Sequence, residues 1–116
     1  MEYRIHTSNG KELAEILTCN SRITSPQDLL DIMARVNSSM LIFKKEMLPE
    51  SFFDLRSGLA GDIMQKIANY RLKMAVVGDF SGCTSPSLRA FICECNRSSN
   101  VVFVDDVNTA IQKLSL

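Results

Sequence analysis

Between Phe52 and Asp62 the chain reads F-F-D-L-R-S-G-L-A-G-D, which sets a carboxylate, a guanidinium and a hydroxyl within four residues. Asp54, Arg56 and Ser57 stand just ahead of a predicted helix, where the first backbone N–H groups lack intrahelical partners and favour an anion. A phosphate on Ser57 would gain from those groups and from Arg56. In the plainer reading the Ser57 hydroxyl caps the helix and Gly58 eases the tight turn into it. Gly58 and Gly61, spaced G-x-x-G, lack the glycine-rich loop of a phosphate cradle, so close packing of helix on sheet is their expected role. Phe52 and Phe53 are adjacent aromatics on a connection. Either one is a contact residue, or one ring enters the core while the other shields the helix start.

Other residues extend the search for chemistry. Asp54, Asp79 and Asp105 each fall near the carboxyl end of a predicted strand, with Ser81 close to the second. Three converging carboxylates would bind a divalent cation and assist phosphoryl transfer. Capping and turn roles are the expectation instead, and no metal is assigned. His6, the single histidine, is expected on the outer face of a hairpin. A nucleophile–base pair would need it to meet Ser57 or a thiol across the sheet, so no catalytic residue is assigned. Of the four cysteines, Cys93 and Cys95 share a predicted helix, where a C-x-C pair points about 200° apart and cannot chelate one zinc ion. With Cys19 and Cys83 they are expected to be free thiols of a reducing cytoplasm. No cofactor is implied.

Elements to position these groups follow from periodicity. Residues 2–7 alternate as a half-exposed strand, Asn9–Gly10 is a hairpin turn, and residues 13–17 form the returning strand. Ser25–Pro26–Gln27–Asp28 opens a helix with a capping-box pattern, whose buried stripe is Leu29, Leu30, Met33 and Val36. Met40–Phe43 and Met74–Val77 are short apolar runs, as in strands covered on both faces. Between them lies a helix with Leu59, Ala60, Ile63, Met64, Ile67 and Ala68 inward. Gly78–Asp79 ends the second run, where glycine's conformational freedom is expected to serve the turn. Ser85–Pro86 starts a third helix with Leu88, Phe91, Ile92 and Cys95 inward and Cys93 outward. Val101–Val104 is the last strand, and Asp105 or Asp106 caps a final helix. The order β-β-α-β-α-β-α-β-α over residues 1–116 gives one α/β domain. Its five-stranded sheet is mixed but mostly parallel, with the core strands centred on Ile42, Val76 and Phe103.

Composition narrows the function classes. Thirteen Lys and Arg balance thirteen Asp and Glu, leaving no field to attract nucleic acid or anionic lipid. The pairs Lys44–Lys45 and Arg71 with Lys73 read as solvated strand ends. No apolar run is long enough to span a membrane, and the first residues lack a signal-peptide pattern, so a cytoplasmic location is expected.

The segment from Phe52 to Arg71, then A-V-V-G-D-F and S-P-S-L-R-A-F-I-C-E-C-N-R, resembles the uncharacterised bacterial family known as domain of unknown function 4180. That resemblance implies no activity. More distantly, the order of elements is similar to the STAS domains of sulphate transporters and anti-sigma factor antagonists, which carry Asp-Ser-Ser/Thr-Gly at the start of their second helix. Asp54–Leu55–Arg56–Ser57–Gly58 is the nearest match, with Leu55 and Arg56 inserted before Ser57, the position the resemblance marks for phosphorylation. A response-regulator receiver would need an acidic pair after the first strand, where this chain has Ser8–Asn9–Gly10. The expected function is a small regulatory or protein-interaction module of STAS-like type, presenting Phe52–Gly58 to an unknown protein partner. The alternative is a small-ligand or nucleotide-binding domain, or a weak enzyme, using the strand ends at Asp54, Asp79 and Ser81. A homodimer pairing exposed hairpin or helix faces is a third possibility.

Overall fold

The computed structural model describes residues 2–18 and 23–116, so Cys19 lies outside the described residues. Strands β1 (Glu2–Ser8) and β2 (Lys11–Thr18) pair antiparallel around Asn9–Gly10. Both turn residues have positive φ, +52° and +74°, as a two-residue hairpin turn needs to match the strands' twist. The expected capping box opens α1 (Pro26–Val36): Ser25 Oγ accepts from the Asp28 N–H, and Asp28 Oδ2 accepts from the Ser25 N–H at 3.1 Å. Thr24 N–H also donates to Asp28 at 2.9 Å, and that bond first, with those from Ser25, holds the carboxyl below its ordinary range. Leu29 and Val36 of the expected stripe are buried, joined by Ile32, while Leu30 and Met33 are half-buried.

Strand β3 (Met40–Lys44) is followed by more structure than a simple connection. A 3-10 turn at Lys45–Met47 leads to a one-turn helix, α2 (Glu50–Phe53), and a second 3-10 turn at Leu55–Ser57 leads to α3 (Leu59–Asn69). Strand β4 (Lys73–Val77), α4 (Pro86–Ser98), β5 (Val101–Val104) and α5 (Val107–Leu114) complete the chain. Asp106, not Asp105, caps α5, accepting the Thr109 N–H at 2.7 Å.

The sheet order is β1-β2-β3-β4-β5, antiparallel between the first two strands and parallel thereafter. Ile42, Val76 and Phe103 lie in β3, β4 and β5 as expected. Every parallel crossover steps in the same direction across the sheet, so right-handed connections place α1, α3 and α4 on one face. Alternation along the strands then builds two cores. Ala14, Ile16, Leu41, Phe43, Met74, Val76, Val101 and Phe103 meet those helices and α2. Leu13, Ile42, Ala75, Val102 and Val104 meet Ala110 and Leu114 of α5 on the opposite face.

The two sheet edges differ. Asn96 of α4 donates to the Phe103 carbonyl (3.3 Å) and accepts from the Phe103 N–H (2.7 Å), closing the outer edge of β5 with one side-chain amide. On β1, Tyr3 and Ile5 are each 42% exposed, on the face shared with Ile16 and Ala14. His6, expected on an outer face, is half-buried and bonds Glu15 at 2.8 Å. The end of the chain is tied to the hairpin: Asn9 Nδ2 donates to the Ser115 carbonyl at 3.0 Å, and the buried Ser115 hydroxyl donates to Ser8 Oγ at 2.9 Å. Among the described residues no helix is long and apolar enough to cross a membrane.

Candidate functional site

Adjacent parallel strands whose connections leave toward opposite faces open a crevice at their carboxyl ends. Here β4 leads into α4 on one face and β5 into α5 on the other, so β4 and β5 are the pair that diverges. A recess of about 630 Å³ lies at that point, formed by Gly78, Asp79, Phe80 and Ser81 after β4, Phe103 and Asp105 at β5, and Ile92 of α4. A second recess, about 500 Å³, lies on the other flank of Phe80 against Phe53, Leu88 and the loop from Gly82 to Ser85. Phe80 is common to both, so it forms the ridge between them.

Aromatic packing fixes that ridge. Phe80 meets Phe103 edge-on with centroids 5.4 Å apart, and Phe53 at 6.3 Å. Phe53 rests edge-on against Phe52 at 5.1 Å, and Phe52 and Phe91 both approach Phe103. Such offset and edge-on pairs add roughly 0.5–1.5 kcal/mol each beyond area burial. Phe52 is 0% exposed, so it belongs to the core and not to a partner surface. Phe53, half-buried on top of it, reaches the second recess. Of the two readings of these adjacent rings, the structure takes core plus shield, because the short helix α2 points successive side chains in different directions.

Lys45, expected to be a solvated strand end, is folded over the end of β4. A Cβ on Gly78 would come within 2.7 Å of Lys45 Cβ. Gly78 is therefore required by close approach, and not by an unusual φ, since its φ is not positive. Lys45 Nζ donates to the Asp79 carbonyl at 2.9 Å and sits 5.1 Å from the centre of the Phe80 ring, a cation–π distance. Sequence reasoning missed this lysine. Its only signal was a glycine closing β4, which cannot say what crosses over it.

Asp79 and Ser81 form a local turn: Asp79 Oδ1 accepts from the Ser81 hydroxyl at 2.6 Å and from the Ser81 N–H at 2.9 Å. The hydroxyl bond, then the N–H bond, and more weakly the Lys45 charge hold this carboxyl below the ordinary aspartate range. Asp54, Asp79 and Asp105 do not converge. Asp54 lines the second recess and Asp105 the first, with Phe80 between them. Asp54 instead caps the 3-10 turn, accepting from the Arg56 N–H at 3.2 Å and Arg56 Nε at 3.3 Å. Both side chains of that pair are exposed, so it contributes little to stability. Among the described residues no group of three His, Cys, Asp or Glu side chains is placed to hold a metal.

Ser57 has a different duty from the one expected. Gly58, at φ +82°, is the N-cap residue of α3. The Ser57 hydroxyl donates to the Ser51 carbonyl of α2 and accepts from the Leu59 N–H at 3.2 Å, stitching α2 to the start of α3. Gly61 is exposed, and a Cβ there would meet nothing within 4 Å, so close packing is not its role. Cys83 lines the second recess as a free, half-buried thiol, Cys93 is exposed, and Cys95 is buried. His6 sits opposite Leu13 on the far edge strand, three strands away from β4, and does not join any of these thiols or Ser57.

The family model for the domain of unknown function DUF4180 matches residues 8–114. The chain belongs to the DUF4180 family. No curated protein and no solved structure matches it. The match covers the hairpin turn, all the helices and both recesses, so the Phe80 ridge lies within the matched part of this DUF4180 domain.

Proposed function

We propose that this chain is a non-covalent binding module that takes a segment of a partner protein along the two recesses flanking Phe80. The observation that carries the reading is the shared ridge: two open recesses side by side on one aromatic base suit a chain segment better than one compact molecule. The regulatory character implied by the resemblance to STAS domains enters through Ser57. A phosphoryl group there would remove the O–H that donates to Ser51 and so shift α2, which carries Phe53 beneath the ridge. The Phe52–Gly58 segment then acts as the wall and the switch of the surface, and Asp54, Arg56 and Gly58 hold its shape.

A second reading, a small-ligand or nucleotide site, is favoured by the place of the first recess at the divergence of β4 and β5. Site-directed photo-crosslinking separates the two. A maleimide crosslinker is attached at Cys83 in the recess, or at Cys93 on the outer surface of α4, each in a variant with the other cysteines changed to Ser. The segment-binding reading expects protein adducts from the Cys83 label in host lysate, lost on Phe80→Ala. Equal capture from Cys93, or capture indifferent to Phe80→Ala, overturns it. A co-purified small molecule, seen by native mass spectrometry and lost on Phe80→Ala, would put the second reading in its place.

A further inference from the structure

The two recesses share a base but differ in charge. The first is bordered by the carboxylates of Asp79 and Asp105 over Phe103, Ile92 and Phe80, and contains no Lys or Arg. The second, bordered by Phe53, Leu88 and Phe80, also carries the carboxylates of Glu50 and Asp54, but Asp54 is paired with Arg56 and the lining holds Lys45, the only cation of either recess, which is turned to the Asp79 carbonyl. Among the described residues Asp79 and Asp105 have no ion-pair partner within 4.0 Å, since the ion pairs found are His6–Glu15 and Arg56–Asp54. Asp79 spends one oxygen on Ser81, and its second accepts no hydrogen bond from a described residue. The chain as a whole is neutral, so this local excess of negative charge is a property of the groove and not of the protein.

From this complementarity we infer that the partner segment carries a basic side chain and an apolar side chain that straddle Phe80. The basic group lies between Asp79 and Asp105 with its stem on Ile92 and Phe103, and the apolar one lies against Phe53 and Leu88. An extended segment presents residues i and i+2 on one face, which lets neighbouring side chains of that face fall on either side of a ridge. An aromatic base beneath two carboxylates suits a guanidinium, which stacks on rings while it donates to carboxylate oxygens. The inference rests on the segment-binding reading above and adds the chemistry of what is bound.

Fluorescein-labelled, capped hexapeptide pools test it. Each pool carries a fixed leucine two residues from arginine, citrulline or glutamate, with the remaining positions randomised, and binding to the folded chain is followed by anisotropy. The arginine pool is expected to bind at least about tenfold more tightly than the citrulline pool, and the glutamate pool more weakly still. The preference should vanish in Asp79→Asn/Asp105→Asn, a pair that keeps an acceptor for Ser81. Thermal unfolding of that variant shows whether it is folded, and Asp105→Asn alone, which touches no hydrogen bond of the loop, should already lower the preference severalfold. Equal binding of arginine and citrulline pools by the parent chain overturns the charge assignment while leaving segment binding intact. Failure of all pools together with protein adducts from Cys83 overturns it too, whereas the absence of such adducts defeats the reading on which it rests.

Discussion

On one face of the sheet three crossover helices and α2 bury Phe43, Phe52 and Phe103; on the other, α5 alone covers Leu13, Ile42, Ala75 and Val102. The second face is finished. Leu114 and Ala110 are fully buried, and Ser115 ties the end of the helix to the hairpin. The first face has the larger core and is left open at one end. In α4 only Cys95 is buried, while Leu88, Phe91 and Ile92 are half-exposed around the carboxyl ends of β4 and β5. The groove is therefore the unfilled end of the larger core, and its base is core aromatic packing that continues into solvent. Residues that fold this face and residues that would bind at it are in contact, whereas on the α5 face folding stands alone.

The largest test of that contrast compares one core residue from each face. Phe52→Ala should cost about 3–5 kcal/mol and Leu114→Ala about 2–5 kcal/mol, because each empties a fully buried site. Urea unfolding measures both. The faces should separate in function: Phe52 supports Phe53 and Phe103 beneath the ridge, so Phe52→Ala weakens partner capture at temperatures where the variant is still folded. Leu114→Ala leaves capture unchanged under the same condition. Equal loss of capture would erase the functional difference between the faces.

A smaller effect separates the two glycines at the start of α3, a helix packed on the larger core: Gly58, its N-cap, and Gly61 in its first turn. Gly58→Ala should cost about 1–2 kcal/mol, since φ +82° places a Cβ against the following carbonyl. Gly61→Ala should stabilise by about 0.5–1 kcal/mol, because the helix interior gains alanine's lower entropy loss and the added methyl meets nothing. Thermal unfolding should show shifts of opposite sign. Shifts of the same sign would mean that the turn into α3 is not the strained point of this face.

Strands β3, β4 and β5 were legible because each is a short apolar run whose alternate residues serve two cores, β1 and β2 because they flank the Asn9–Gly10 turn, and the starts of α1 and α4 because serine, proline and a spaced acceptor form a local code. The connection from Lys45 to Gly58 was not legible. Its α2 is a single turn, too short for a periodic signal, and it is held by a tertiary bond from Ser57 back to Ser51. Asp79 and Ser81 lie in the turn after β4, as expected, but Asp54 is not at a strand end: β3 stops at Lys44, and Asp54 follows α2 as the cap of a 3-10 turn. Their separation by Phe80 depends on a ring position fixed by Phe53, Phe103 and Lys45 from three other elements. Gly78 shows the same limit: the residue announces that something crowds the backbone, and only the fold says that it is Lys45.

The smallest effect, and the one that probes how firmly the larger core is closed, is thiol reactivity along α4. Cys93 and Cys95 lie two residues apart on one helix, one exposed and one 9% exposed. Burial first, and the neighbouring Glu94 charge second, push the Cys95 thiol up to about 11. Because the thiolate is the reacting species, that displacement leaves on the order of one Cys95 in a thousand ionised at pH 8. In single-cysteine variants, with Cys19 replaced by Ser throughout, a disulfide reagent at pH 8 should therefore modify Cys93 quickly and the half-buried Cys83 next. Cys95 should follow only on the timescale of local opening, and in denaturant all should react alike. The contrast is sharpened if a bound partner segment slows Cys83 and Cys95 together while leaving Cys93 unchanged, because α4 then closes on the groove as a unit. If Cys95 in the free protein reacts within about twofold of Cys93, α4 is not held against β5. The larger core then ends at α3, and the groove has no fixed wall on that side.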